Sequence, residues 1–256
     1  MNQLPEFKVS LGSTDDEMAR KLWLAKRLRE SSVPDSELLD NLGLYLTRQT
    51  LSRINFIQEM YSRIVNVHGV IIEFGVRWGQ NMALFSNLRG MLEPFNFNRQ
   101  IIGFDTFDGF PSISPQDHST DVGGDWGVGD YGVTENWVKN LENLLEFHEQ
   151  NSPIAHKKKY ELVVGDASET LPQYLEEHPE TIIALAYFDF DLYAPTRDCL
   201  KAIKPHLTKG SVLAFDELNC PDFPGETLAL REVLGLDSFS IRRLPLSPLT
   251  SFLVIE

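Results

Sequence analysis

Cysteine is nearly absent from this 256-residue chain, which has only Cys199 and Cys220. Two thiols exclude the dense disulfide framework of a small secreted domain, and both read as small hydrophobes in a reducing cytoplasm. Long apolar runs are missing too: nothing approaches the ~20 residues that a membrane-spanning helix needs. The opening segment M-N-Q-L-P-E-F-K-V-S has no basic start ahead of an apolar stretch, so it is not expected to act as a secretory signal. Positive charge is in deficit, with 23 Lys and Arg against 37 Asp and Glu and a formal net charge of -14. Such a field repels phosphate backbones and anionic lipid, so neither a nucleic-acid substrate nor a membrane partner is expected. Also lacking are a His/Cys cluster with zinc spacing and the G-x-S-x-G elbow of serine hydrolases.

What is present is an alternation of short apolar runs and helical patterns. Residues 1–66 read as a helical extension. P-D-S-E-L-L from Pro34 looks like a helix start, and Leu51, Ile54, Ile57, Tyr61 and Ile64 form one apolar stripe suited to a sheet or a partner subunit. From Gly69 the pattern changes. Strands are expected at Val70 to Phe74, Ile101 to Phe104, Tyr160 to Val164, Ile182 to Phe188 and Ser211 to Phe215. Helices are expected at Asn81 to Leu88, Thr134 to Glu149, Glu169 to Glu177 and Pro195 to Leu207. This order predicts an α/β domain over 67–256 with a doubly wound, mostly parallel sheet. The tail segments S-F-S-I-R-R-L and S-F-L-V-I-E predict an antiparallel hairpin at the sheet edge, as in methyltransferases rather than dehydrogenases. The polar, Gly- and Asp-rich stretch at about 111–132 has no periodicity. Its length and its Trp126 and Tyr131 suggest a lid over a ligand.

The first strand ends in Glu73-x-Gly75-x-x-x-Gly79. Glycines here allow a tight turn and close approach of a ligand at a helix N-terminus. A dinucleotide site wants G-x-G-x-x-G for its pyrophosphate; two glycines behind an acid suit an ammonium group better. The second strand ends at Asp105, placed to accept hydrogen bonds from both hydroxyls of a ribose. The third ends at Asp166, placed for the exocyclic amine of an adenine. Successive acids at strand carboxyl ends lie where open α/β sheets bind ligands. The fourth strand then runs into F-D-F-D-L-Y, with Asp189 and Asp191, and the fifth into F-D-E-L-N, with Asp216 and Glu217. Neighbouring strand ends ~4.8 Å apart would bring these carboxylates together, and a hard cation such as Mg²⁺ would relieve their repulsion.

These segments resemble the macrocin O-methyltransferase family, whose members methylate sugar hydroxyls in natural-product biosynthesis. The likeness runs from about Leu44 to Leu234. It includes V-I-I-E-F-G-V-R-W-G-Q-N, G-F-D-T-F-D-G-F-P, Y-G-V-T-E, G-D-A-S-E-T-L-P and D-F-D-L-Y-A-P-T. Two departures stand out: D-E-L replaces the family's D-D-Y, and Gln80 replaces the second glycine of a G-G pair. The resemblance implies a Rossmann-like class I methyltransferase fold with a seven-stranded sheet, a C-terminal antiparallel hairpin and N-terminal helices. It implies S-adenosyl-L-methionine as cofactor. Glu73, Gly75 and Gly79 would line its methionine end, Asp105 would hold its ribose, Asp166 and Ala167 its adenine, and Phe74, Thr106, Phe107 and Asp189 would also contact it. Asp189, Asp216 and Glu217 would hold Mg²⁺ or another divalent cation.

Methyl transfer to oxygen is an in-line displacement, so positioning dominates and a base must remove the hydroxyl proton. Asp191 is the expected base because it sits beside the metal ligands; Asp189, or His118 in the lid, are the alternatives. The expected acceptor is a sugar or glycosylated small molecule, and the expected assembly is a homo-oligomer. Rival readings are a catechol-type small-molecule O-methyltransferase and an NAD-dependent sugar oxidoreductase, the second disfavoured by the missing dinucleotide fingerprint.

Overall fold

The computed structural model describes residues 14–118 and 127–256. Trp126 therefore lies outside the described residues. Contacts divide the chain into two compact units between Ile54 and Asn55. In the first, Thr14 caps helix α1 (Asp15–Arg29) through a capping box with Glu17, and α1 buries no residue. The helix start expected at Pro34 gives only a four-residue turn, α2 (Asp35–Leu38), and a 3₁₀ turn at Leu42–Tyr45 follows. Helix α3 (Arg48–Ile64) begins in this unit.

In the second unit, β1 (Val70–Phe74), β2 (Ile101–Asp105), β3 (Tyr160–Val164), β4 (Ile183–Phe188), β5 (Leu207–Phe215), β6 (Arg242–Arg243) and β7 (Ser251–Val254) form one sheet. Its order is β3-β2-β1-β4-β5-β7-β6. The first five strands are parallel, and β7 runs antiparallel to both β5 and β6. This is the Rossmann-like arrangement expected from the alternation. Strands buried on both faces read as continuous apolar runs, which is why β1, β4 and β5 were legible. Alternate residues feed two cores. Ile71, Leu185 and Val212 join α3, α4 (Gln80–Leu92) and α5 (Trp137–Gln150) on one face. Ile72, Ala186 and Leu213 join α6 (Ala167–Glu177), α7 (Tyr193–Ile203) and α8 (Gly225–Val233) on the other. Of the predicted stripe, Ile57, Tyr61 and Ile64 are fully buried, whereas Leu51 is exposed.

The structure differs from the sequence reading in three places. Helix α8 was not anticipated, because P-D-F-P-G just before it reads as loop. The helix expected to run to Leu207 stops at Ile203; a 3₁₀ turn intervenes and β5 begins at Leu207. The outer strand of the hairpin shrinks to Arg242 and Arg243, a short charged edge of the kind that blunts edge-to-edge pairing. No helix among the described residues is long and apolar enough to cross a membrane.

Candidate active site

The chain reverses direction across the sheet between β1 and β4, and at such a switch point the strand carboxyl ends leave a crevice. Glu73, buried to 1% exposure, lies at this end of β1. Gly75 follows with φ +87°, and a Cβ there would overlap the carbonyl oxygen of Asp189. Glycine is thus required by the close approach of the chain leaving β4. Gly79, φ +77°, opens α4, and a Cβ there would run into the Leu141 side chain of α5.

Asp105 fastens this turn. Its carboxylate accepts from the backbone N–H groups of Arg77 at 2.7 Å and Phe107 at 2.6 Å, so it joins the loops after β1 and β2. Both donors have left-handed backbone, φ 49° and 58°, a strain of order 1–3 kcal/mol each that the bonds help hold. Burial raises the Asp105 pKa despite these bonds. A carboxylate has about four acceptor positions, so capacity for a ligand remains. Phe74 and Phe107 are core residues; the Phe74 ring packs on Phe104, Phe188 and Phe190.

Beside Asp105, a cavity of about 370 Å³ opens between the ends of β2 and β3, walled by Thr106, Gly109, Phe110, Val128, Val164 and Asp166. Asp166 also caps α6, accepting from Ser168 N–H at 2.8 Å, and Ala167 begins that helix. The far wall belongs to the chain just past residue 126. Phe110 N–H donates to the Asp130 carbonyl, Gly129 N–H to Phe110, and Val133 N–H to Phe107. The Arg77 guanidinium lies 4.7 Å over the Tyr131 ring. Burial, then the charges of Asp191 and Glu217, push the Tyr131 pKa up.

Those acids do gather. Asp189 N–H donates to Phe74 O at 2.9 Å and Asp216 N–H to Phe188 O at 3.0 Å, continuing the parallel ladders beyond the strands. Asp191 has a left-handed φ of 63°. The Tyr187 hydroxyl donates to Asp216 Oδ1 at 2.6 Å. Behind them Glu226 of α8 is fully buried. Burial pushes its pKa well above the ordinary value of 4.5, and the charges of Asp191, Asp189, Asp216 and Glu217 push it further. The charges of all four predicted acids thus bear on Glu226. Among the described residues, no three His, Cys, Asp or Glu are arranged to grip an ion. The donor set is all oxygen, as a hard cation wants, but it does not converge. His118 is exposed at the end of the Pro115–Asp117 turn.

Three participants escaped the sequence reading. Tyr187 sits inside an apolar strand and looked like core. Asp117, 7% exposed, accepts from Ser114 N–H at 2.8 Å and from Tyr193 N–H at 2.6 Å, pinning the start of the 111–132 stretch to α7. Glu226 sits in the first turn of the missed helix, whose signal was Leu228, Ala229, Leu230 and Val233 behind Pro224.

The fold is that of the class I S-adenosylmethionine-dependent methyltransferases. The sequence profile of the macrocin-O-methyltransferase (TylF) family matches residues 39–223, and the chain belongs to that family. Among solved structures, the calicheamicin methyltransferase CalS11 superposes with a TM-score of 0.91 and 41% identity, covering 99% of this chain and 98% of that one. An apo structure of CalS11, described as a TDP-rhamnose 3'-O-methyltransferase, gives 0.83 and 40%, covering 95% and 96%. The O-methyltransferase NovP, at 19% identity, TM-score 0.57 and coverage of 80% and 79%, shares the fold. Among curated proteins, none matches the chain. Family membership removes the oxidoreductase reading.

Proposed function

We propose that this enzyme methylates a hydroxyl of a sugar, carried on a nucleotide or on a natural product, during secondary-metabolite biosynthesis. The supporting observation is near-full-length likeness to CalS11 at 41% identity. A TDP-linked deoxysugar is the first acceptor to try.

When bound, S-adenosylmethionine supplies an electrophilic methyl group. Glu73 would meet its ammonium, and Asp105 and Thr106 its ribose. Asp166 and Ala167 would hold adenine against the cavity between β2 and β3. Asp191 takes the proton from the acceptor hydroxyl as the methyl C–O bond forms and the methyl C–S bond breaks, leaving the neutral thioether S-adenosylhomocysteine, with Asp189 and His118 as alternatives. Residues 119–126 of the lid expected at about 111–132 lie outside the described residues; its described flanks, anchored by Asp117 and carrying Tyr131, would border the acceptor. Asp189, Asp216 and Glu217 are the expected oxygen ligands of a divalent cation, which would supply Lewis-acid activation of a hydroxyl. Donor chemistry supports that assignment; convergence does not. We further propose a homo-oligomer located in the cytoplasm, where Cys199 and Cys220 stay as free thiols. Light scattering that finds a monomer at micromolar concentration removes the first of these.

Mass spectrometry of TDP-deoxysugars incubated with enzyme and S-adenosylmethionine should show a singly methylated product. Methylation of catechols with no sugar product overturns the reading. Calorimetry of Mg²⁺ into the protein with S-adenosylhomocysteine should give heat that an Asp216→Ala variant lacks; equal heat in both discards the ligand set.

A further inference from the structure

Strands β4 and β5 end in loops that together bear four carboxylates, and like charges on adjacent loops push them apart. The ladder between them stops at Asp216 N–H on Phe188 O. Past that point a side chain from α8 reaches both loops. Glu226 Oε1 accepts from Phe190 N–H at 3.2 Å, and Oε2 accepts from Glu217 N–H at 3.4 Å. Phe190 lies between Asp189 and Asp191, and Glu217 follows Asp216, so one buried carboxyl touches the backbone of both acid pairs. The preceding residue wedges the helix into place. A Cβ at Gly225 would lie 2.5 Å from Tyr193 N, 2.7 Å from Asp117 Oδ1 and 2.7 Å from the Asp191 carbonyl oxygen. Asp117, which pins the 111–132 stretch, is thus packed on the same spot.

We propose that Glu226 is a positioning residue that staples the Asp189–Asp191 loop to the Asp216–Glu217 loop and so sets the spacing of the acids that handle the acceptor. The role of those acids rests on the proposed function; the staple does not. The groups to be joined are two N–H donors, and each carboxyl oxygen keeps acceptor lone pairs whether or not the group is ionised. Glutamine has the same shape but offers one acceptor, and its NH₂ would face an N–H. Aspartate is one methylene shorter and loses reach.

Glu226→Gln in the full chain tests this through hydrogen exchange at the Phe190 and Glu217 amides, calorimetry with S-adenosylhomocysteine, and kcat and KM with a methylated TDP-sugar. Exchange at one of the two amides should speed up about tenfold. Cofactor affinity should hold within about threefold, and kcat should fall roughly 10- to 100-fold while KM for S-adenosylmethionine stays put. Glu226→Asp should restore neither amide. Unchanged amides and unchanged kcat in Glu226→Gln overturn the staple. If no sugar is turned over by the wild type, the proposed function fails, and the amides still judge the staple. Should the variants not fold, the wild-type protein decides: fast exchange at both amides, matching exposed loop amides, rejects the proposal.

Discussion

The two ends of the same sheet handle buried charge in opposite ways. At the amino end, where β1, β2 and β3 begin, acids meet bases. Glu149 lies between Arg89 and Lys159, 2.7 Å from the Lys159 ammonium, with both cations and the acid nearly inaccessible. Arg89 also donates to the Lys159 carbonyl at 2.7 Å. Beside it, Arg99 pairs with Glu93 at 2.9 Å and donates to the carbonyls of Ile64 and Val67. At the carboxyl end, acids meet acids around Glu226. Burial shifts groups at both ends: it takes the Arg89 pKa down to about 10 and raises that of Glu226. The company differs. Pairing makes the amino end a clamp on three strand starts, whereas crowding like charges costs stability and concentrates reactivity where a ligand arrives.

The largest effect should come from breaking the clamp. Glu149→Ala leaves two buried cations facing each other, and denaturant melts should show a loss of about 3–5 kcal/mol. Asp191→Asn tests the other end and should reverse the pattern. Stability should hold or rise, because one like charge beside Glu226 is gone, while kcat falls about 100-fold or more. Full activity in this variant would remove Asp191 as the base.

A smaller contrast lies in pH. For Glu93, burial works upward on the pKa, but hydrogen bonds from Arg99, Tyr61 and Asn96 win and hold it below 4.5. Its contribution is present above 4.5 and lost as pH falls through the lowered value. Glu226 has the opposite sign: its contribution is complete below 4.5 and lost as pH rises through the raised value. As pH falls through the raised Glu226 value the carboxyl end should be relieved, and as it falls on through the lowered Glu93 value the amino end should weaken. Melting temperatures followed from alkaline pH downward should lose the gain in Glu226→Gln and the later loss in Glu93→Gln. Parallel curves for the two variants would erase the distinction.

Much of the candidate site was legible because its residues sit at strand ends, and strand ends are marked locally. Asp105, Asp166, Asp189 and Asp216 each follow an apolar run, and Glu73 is the residue before the last of its own. Their grouping followed from strand order alone. Asp105 shows where that reading stops: it ends β2 as expected, yet its hold on Arg77 and Phe107 belongs to two loops that meet only in the folded chain. Gly75 was read as room for a ligand, and its immediate neighbour is the Asp189 carbonyl. Asp117 and Tyr187 carried no marker, since an acid in a polar loop and a tyrosine in a strand are commonplace.

The sequence by itself determined the elements, their alternation and the acids that close the strands, because periods of two and 3.6 residues and turn chemistry are properties of neighbours along the chain. Tertiary structure decided which charges are neutralised and which are crowded. Arg89 finds Glu149 across 60 positions, and Glu226 finds Phe190 across 36. Electrostatic energy depends on distance in space and on burial, and neither is written in local order.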